Sequence, residues 1–195
     1  MLLRFFIASV LVTLMPGPSM LIVLYHTARG GLGAGARAIA GVVAADAVLL
    51  ALAASGLGLL LHISPAALTG LKWAGTVYLI WLAWRVWRGT PGRSAVEHAA
   101  VAWRQAGTAT LLNPGIIVFL LAFLPQFLVP GRAVGGQLRL LAPVFLLAVG
   151  LTLLGCAAGL LALRRVPASA ANGRRLERGV ALALAAYAAA LWFAR

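Results

Sequence analysis

Long apolar stretches, separated by short segments that carry most of the charge, constrain this chain more than any other feature. The first stretch, from Phe5 to Tyr25, contains no charged residue and is long enough to cross a bilayer as a helix. Five more follow at about 39–61, 66–85, 107–128, 140–163 and 179–194. The pattern predicts an all-α integral membrane protein with six transmembrane helices.

The composition agrees with this interpretation and excludes other classes. Hydrophobic residues make up 63% of the 195 positions and mean hydropathy is +1.02. The net charge of +13 does not indicate nucleic-acid binding, because the basic residues lie between the apolar stretches, where topology signals are found. The one cysteine, Cys156, provides neither an intrachain disulfide nor a cysteine-based metal site. The sequence predicts no metal and no cofactor.

Arginines are distributed unequally between the two sides of the predicted membrane domain. Eleven lie in or at the edges of the loops that follow spans 1, 3 and 5, and four lie on the opposite side. Cytoplasmic loops carry an excess of Lys and Arg. The distribution therefore predicts that loops 1–2, 3–4 and 5–6 are cytoplasmic and that both termini lie outside.

Two of the spans contain a proline-glycine pair at corresponding positions. Span 1 carries Pro16, Gly17 and Pro18, and span 4 carries Asn113 and Pro114 followed by a glycine. Proline removes a backbone donor and obstructs the preceding turn, so each pair predicts a broken helix. In hydrocarbon, the freed backbone groups need a partner other than water. They can bind a polar solute; a kink that serves only packing is the alternative.

The longest polar interruption, at 86–106, divides the chain nearly in half, with three spans before it and three after it. The first repeat covers about 1–88, a cytoplasmic linker about 89–106 and the second repeat about 107–195, all within a single membrane domain, 1–195. Because three is odd, two related halves must be inverted relative to each other in the membrane. Two inverted three-helix repeats with broken helices in equivalent spans are typical of transporters.

Asp46 is the one acidic residue assigned to a span, whereas Glu97 and Glu177 are assigned to loops. A carboxylate within the membrane is costly unless it is paired, hydrated or protonated, and its default interpretation is functional. Asp46 therefore predicts a site for a substrate ammonium or a coupling proton. The alternative is a fixed ion pair with a neighbouring arginine such as Arg37. The three histidines fall at predicted span ends or in loops and are interpreted as interfacial.

In three blocks the chain resembles the LysE/RhtB family of amino-acid exporters. Residues 15–58 share its Pro-Gly-Pro, glycine-rich basic loop and acid in span 2. Residues 71–88, LKWAGTVYLIWLAWRVWR, are similar to its Lys-x-x-Gly-x-x-Tyr-Leu block. Residues 110–127 are similar to its Asn-Pro and Leu-Pro-Gln-Phe block.

The resemblance implies a multi-pass transporter of a bacterial-type inner membrane, not an enzyme. It would export amino acids or amino-acid derivatives from the cytoplasm by proton antiport. The implied partners are an amino acid or related small solute, protons, the lipid bilayer and a second copy in a homodimer, with no nucleic acid. The broken-helix amides are expected to take the substrate carboxylate, and Asp46 its ammonium or the exchanging proton. The site residues that the resemblance implies are Pro16, Gly17, Pro18, Asp46, Asn113 and Pro114, with Gln126 as a lesser candidate. Ser19, beside the first break, is included in the predicted site.

The chain departs from the family pattern at Met15, Ser19 and Gly115, where Thr, Asn and Lys are usual. A channel, or a transporter for another small metabolite or ion, therefore stays open as an alternative. A membrane enzyme is disfavoured because no predicted span contains a central His or a His-Glu motif. A thiol-redox carrier is excluded because it would need two cysteines and the sequence has one. A scaffold protein is a further alternative, and its function would tolerate the loss of Asp46.

Overall fold

The structure, a computed structural model, describes residues 1–55, 65–88, 95–163 and 170–193. The predicted end of span 2 at 56–61, the linker residues 89–94, and Arg164 and Arg165 lie outside them. In this described part the chain is helical and contains no strand, with seven α-helices and one 3-10 helix. The elements are α1 (Leu2–Thr13), α2 (Pro18–Ser55), α3 (Pro65–Arg88), α4 (Ala95–Leu111), α5 (Pro114–Phe123), the 3-10 helix (Leu124–Phe127), α6 (Val134–Leu163) and α7 (Ala170–Phe193).

Both predicted helix breaks are present, and in each a proline begins the second helix. α1 ends at Thr13 and α2 begins at Pro18, while α4 ends at Leu111 and α5 begins at Pro114. Proline suits the first helical position because its missing N–H would have no partner there. The direction of the helix axis changes by 57° between Val101–Leu111 and Pro114–Phe127. The prolines thus start new helices instead of kinking continuous ones.

Gly31 folds α2 back on itself. Its φ of 71° and ψ of −170° are not helical. A continuous helix would hold Thr27 and Gly35 about 12 Å apart along its axis. Instead, a Cβ built at Gly35 would lie 3.5 Å from the Cα of Thr27. The two arms of α2, residues 18–30 and 32–55, therefore form an antiparallel helical hairpin.

The substitution Gly31→Ala is expected to lower the free energy of unfolding in detergent by about 1 to 3 kcal/mol, because L side chains rarely adopt this backbone conformation. Thermal unfolding followed by circular dichroism measures the effect. Gly33→Ala is the matched control, since Gly33 has an ordinary helical φ and open space around it. Equal melting temperatures for the two variants would show that Gly31 is not the required turn.

Three sequence-based assignments need correction. Residues 26–38 are helical on both sides of Gly31, so the connection between spans 1 and 2 is far shorter than the predicted loop. The second part of the predicted linker is also helical, because α4 begins at Ala95. Glu177, assigned to a loop, lies within α7 and is buried. In each case packing between helices extends helical structure into a polar segment.

The two halves of the chain pack against each other along most of their length. α2 packs against α4, α6 and α7, α1 against α6, and α3 against α7. Gly41 permits the close crossing of α2 and α4, since a Cβ there would overlap the backbone carbonyl of Trp103. Gly75 does the same for α3 and the second break, where a Cβ would overlap the carbonyl of Leu112. The breaks are thus held between closely packed helices.

By length and composition, two of the described helical stretches are sufficient to cross a membrane: Val134–Ala162, and Pro18–Ala54 when the two arms of α2 are counted together. The bent pair Val101–Leu111 and Pro114–Phe127 provides a third when counted as one span. The all-helical architecture of apolar helices agrees with the sequence. The count of six spans and their inverted symmetry stay predictions.

Candidate functional site

A cavity of about 520 Å³ lies between the two helix breaks. This volume is within the usual range for small-molecule sites. One part of its wall is apolar and includes Phe119, Phe145 and Leu153. The other part carries the polar groups, which come from both breaks, from the second arm of α2 and from α7. Among the described residues, no Lys or Arg lines the cavity.

Asp46 lines this cavity from the second arm of α2. The residue is only 2% exposed, and its Oδ1 has no hydrogen-bond partner in the described part of the chain. The described residues also place no Lys or Arg within salt-bridge distance of its carboxylate, and Arg37 is exposed. The structure therefore gives no support to the fixed ion pair. A buried acid without a cation is costly, which makes Asp46 the most conspicuous polar group of the site.

A hydrogen bond connects the two breaks across the cavity. The hydroxyl oxygens of Ser19 and Thr110 are 2.8 Å apart. The Thr110 hydroxyl donates to the Ala106 carbonyl at 2.9 Å, so Ser19 is the donor in the bond between the two hydroxyls. The first turn of α2 is thereby fixed against the last turn of α4. Ser19, Thr110 and Asp46 all line the cavity.

Asn113 caps the N-terminus of α5. Its side-chain Oδ1 accepts a hydrogen bond from the Gly115 backbone N–H at 3.0 Å. The same oxygen accepts a second hydrogen bond, at 3.2 Å, from the hydroxyl of Tyr187 on α7. First-turn residues of α2 and of α5 both line the cavity. Two helix N-termini, which carry partial positive charge, therefore share the cavity with the Asp46 carboxylate.

On one side of the cavity, further polar contacts connect the helices. His26 Nε2 lies 2.8 Å from Gln105 Oε1, between the first arm of α2 and α4. The Tyr78 hydroxyl donates to the backbone carbonyl of Gln105 at 3.2 Å. Nearer to the hairpin turn, Arg29 pairs with Glu177 at 3.2 Å. His26 is 1% exposed, so its side chain is buried between helices.

The ion pair lies well away from the cavity. Arg29 is ten residues beyond Ser19 on α2, and Glu177 is ten residues before Tyr187 on α7. Ten residues of helix span about 15 Å. The pair thus joins two helices at the end of the molecule that contains the hairpin turn, while Ser19 and Tyr187 line the cavity.

The structure brings together most of the residues that the sequence singled out. Five of them line the cavity, and Pro18 and Pro114 begin the two helices whose first turns do so. The five are Pro16, Gly17, Ser19, Asp46 and Asn113. Gln126 does not line the cavity; its exposed side chain donates to the Ala122 carbonyl at 2.9 Å.

Sequence reasoning missed Thr110 and Tyr187. Nothing in the sequence indicates that Thr110 is a site residue except its position three residues before Asn113. Tyr187 offered one signal, since its hydroxyl stands alone within a run of alanines and leucines. A hydroxyl in such a run needs a partner inside the membrane, and this one finds it in Asn113, 74 positions away.

Comparisons with known proteins agree with the sequence resemblance. The family described as LysE type translocator matches residues 10–194. An uncharacterised membrane protein of Pseudomonas aeruginosa is 39% identical over 147 residues, which are 70% of this chain and 68% of that protein. A leucine efflux protein of Klebsiella pneumoniae is 30% identical over 65% of this chain and 62% of its own length. A homoserine/homoserine lactone efflux protein of Salmonella typhi is 33% identical over 65% of this chain and 64% of its own length.

The chain thus spans slightly less than two thirds of the two efflux proteins that it matches. No solved structure matches the chain. The family match covers both helix breaks, Asp46 and Tyr187, that is, every polar element of the cavity described above. This chain belongs to the LysE type translocator family.

Proposed function

We propose that this protein exports amino acids or amino-acid derivatives from the cytoplasm across a bacterial inner membrane by proton antiport. One observation carries the proposal: the buried carboxylate of Asp46 shares a cavity with two helix N-termini and has no cation partner among the described residues. An α-amino acid presents a cation and an anion a few ångströms apart. The cavity offers a group for each.

The substrate carboxylate would bind at the helix N-termini. The first turns of α2 and α5 provide backbone N–H groups and partial positive charge without a basic side chain. Broken helices supply such groups in many transporters. The Ser19 hydroxyl and the Asn113 amide add neutral polar groups beside these turns. Pro16 and Gly17 leave the chain between α1 and α2 non-helical, which gives the substrate access to the N-terminus of α2.

The substrate ammonium and the coupling proton would use Asp46 in turn. A carboxylate buried in the membrane is stable when it holds either a proton or a cation. The two occupants exclude each other because they share the same oxygens. Arrival of a proton from outside would release the ammonium there, and arrival of substrate from the cytoplasm would release the proton. This exclusion is the physical basis of the proposed antiport.

The cavity favours substrates with an uncharged side chain. Asp46 is the one acidic residue in its described lining and would be occupied by the α-ammonium. The remaining wall is formed largely by apolar side chains such as Met20, Phe145 and Val149. A relative named a leucine efflux protein and another named a homoserine/homoserine lactone efflux protein act, by those names, on solutes of this class.

The proposed orientation follows the arginine distribution. The Arg29–Glu177 pair joins the segments predicted as loops 1–2 and 5–6. Contact between them supports their being on the same side of the membrane. We place that side in the cytoplasm because cytoplasmic segments carry an excess of arginine.

Uptake of labelled neutral amino acids into everted membrane vesicles tests the proposal. Everted vesicles present the cytoplasmic face to the medium, so an exporter accumulates its substrate inside them. An imposed pH gradient, acid inside, is expected to raise accumulation several-fold, and a protonophore should abolish the increase. Initial rates should saturate with substrate concentration. Vesicles from cells without the protein are the control.

Two results would contradict the proposal. Uptake that neither saturates nor responds to the gradient would favour the channel alternative. Absence of uptake for every neutral amino acid, with folded protein present in the membrane, would direct the search to other small metabolites.

A further inference from the structure

A backbone donor identifies which end of the Asn113 side-chain amide is the oxygen. The Gly115 backbone N–H can only donate, and it lies 3.0 Å from the side-chain oxygen. The Tyr187 hydroxyl approaches the same oxygen, at 3.2 Å. The amide oxygen therefore has two donors, and the amide nitrogen must point elsewhere. Asn113 lines the cavity, where this nitrogen can donate to a ligand.

From this geometry we infer that Tyr187 is a positioning residue for substrate binding, and the inference depends on the proposed amino-acid site. Its hydroxyl holds the Asn113 amide in the rotamer that presents the two N–H groups of that amide to the substrate carboxylate. Without Tyr187, one hydrogen bond to a backbone N–H remains to orient the side chain. The amide would then sample other rotamers, and the carboxylate would lose a fixed donor.

Gly115 is part of the same arrangement. A Cβ built there would lie 3.0 Å from the Tyr187 hydroxyl oxygen and 3.1 Å from the Asn113 side-chain oxygen. Both separations are tighter than ordinary van der Waals contact. The absence of a side chain at position 115 thus leaves the space in which the hydroxyl and the amide meet. Gly115 also lines the cavity, so the contact is at the edge of the substrate site.

The contact also connects two helices that the break would otherwise leave independent. α7 packs against α3 and α2, and Tyr187 is half-buried among their side chains. The ring is therefore held by packing, while its hydroxyl reaches the N-cap of α5. A residue held in this way can orient a neighbour at little entropic cost. This rigidity distinguishes Tyr187 from an exposed hydroxyl that meets Asn113 by chance.

A double-mutant cycle in the vesicle assay tests the inference. Tyr187→Phe removes only the hydroxyl, and Asn113→Ala removes the group on which it acts. Tyr187→Phe is expected to raise KM roughly 2- to 10-fold and to leave the maximal rate nearly unchanged, as for loss of one hydrogen bond in binding. Asn113→Ala should raise KM further. If Tyr187 acts through Asn113, the double variant should match Asn113→Ala.

Tyr78→Phe is the matched control. It removes a hydroxyl that donates to a backbone carbonyl, that of Gln105, and Tyr78 does not line the cavity. Its KM should equal that of the wild type. Asn113→Asp provides a second measurement if Tyr187→Phe folds poorly. It keeps the acceptor for Gly115 and Tyr187 but replaces the amide N–H groups with charge, so it should bind substrate at least as weakly as Asn113→Ala.

The outcomes distinguish failure of this inference from failure of the proposed function. Wild-type transport with an unchanged KM in Tyr187→Phe would overturn the inference and leave the exporter intact. Additive effects of the two substitutions would also overturn it, because Tyr187 would then act independently of Asn113. Substrate binding by Asn113→Asp as tight as in the wild type would show that the amide N–H groups are not used. A wild type that accumulates no amino acid would overturn the proposed function and this inference together.

Discussion

Asp46→Asn is expected to reduce gradient-driven amino-acid export about 10- to 100-fold, the effect of losing one hydrogen bond to a charged group in a water-poor site. Asparagine has nearly the same shape but can neither attract the substrate ammonium nor bind and release a proton. Both proposed roles of Asp46 would therefore be lost together. Initial uptake rates in everted vesicles, with and without the pH gradient, measure the change.

Asp46→Glu is the control for this result. It keeps the carboxylate and moves it by one methylene, so part of the gradient-dependent transport should return. Size-exclusion chromatography in detergent shows whether each variant is folded. A folded Asp46→Asn variant that retained full proton-coupled export would show that Asp46 carries neither substrate nor proton.

Gly75→Ala is expected to lower both stability and transport. A methyl group there would overlap the Leu112 carbonyl, a backbone atom that cannot rotate away, and Pro114 Cδ lies 3.5 Å from the same point. Either α3 or the second break must shift. Overpacking of this kind costs about 1 to 3 kcal/mol of unfolding free energy. A shift of the break moves the start of α5, so KM for the substrate should rise as well.

Gly70→Ala is the matched control because Gly70 lies on the same helix and has open space around it. Thermal unfolding in detergent and vesicle uptake should separate the two variants clearly. If Gly75→Ala melts and transports like Gly70→Ala, the close approach of α3 to the break is not needed by the protein.

The two helix breaks were predicted correctly because their causes are local in the sequence. Pro18 and Pro114 each suit a first helical position, and Asn113 is a favoured N-cap, so the breaks follow from short-range chemistry. Asp46 could be singled out from the sequence because acidic residues within long apolar stretches are rare. The family was recognisable because these local signals occur together in one order.

The features that the sequence did not predict depend on contacts between distant residues. Glu177 is surrounded in sequence by arginines, which favoured a loop, but its pairing with Arg29 places it in a buried part of α7. Several glycines lie between residues 30 and 35, and nothing local distinguishes Gly31 as the turn. Tyr187 gains its role only from packing that brings α7 to the second break.

Protection of a thiol placed in the cavity between the breaks would show most directly whether this cavity is the substrate site. Ser19→Cys, in a Cys156→Ala background, introduces a reactive group into the cavity wall; Cys156 itself does not line the cavity. The alkylation rate of this thiol is measured with and without a transported amino acid. If the cavity is the substrate site, saturating substrate slows alkylation several-fold, and adding Asp46→Asn removes the protection. An alkylation rate that does not change with substrate, in a variant that still transports, would show that the substrate binds elsewhere.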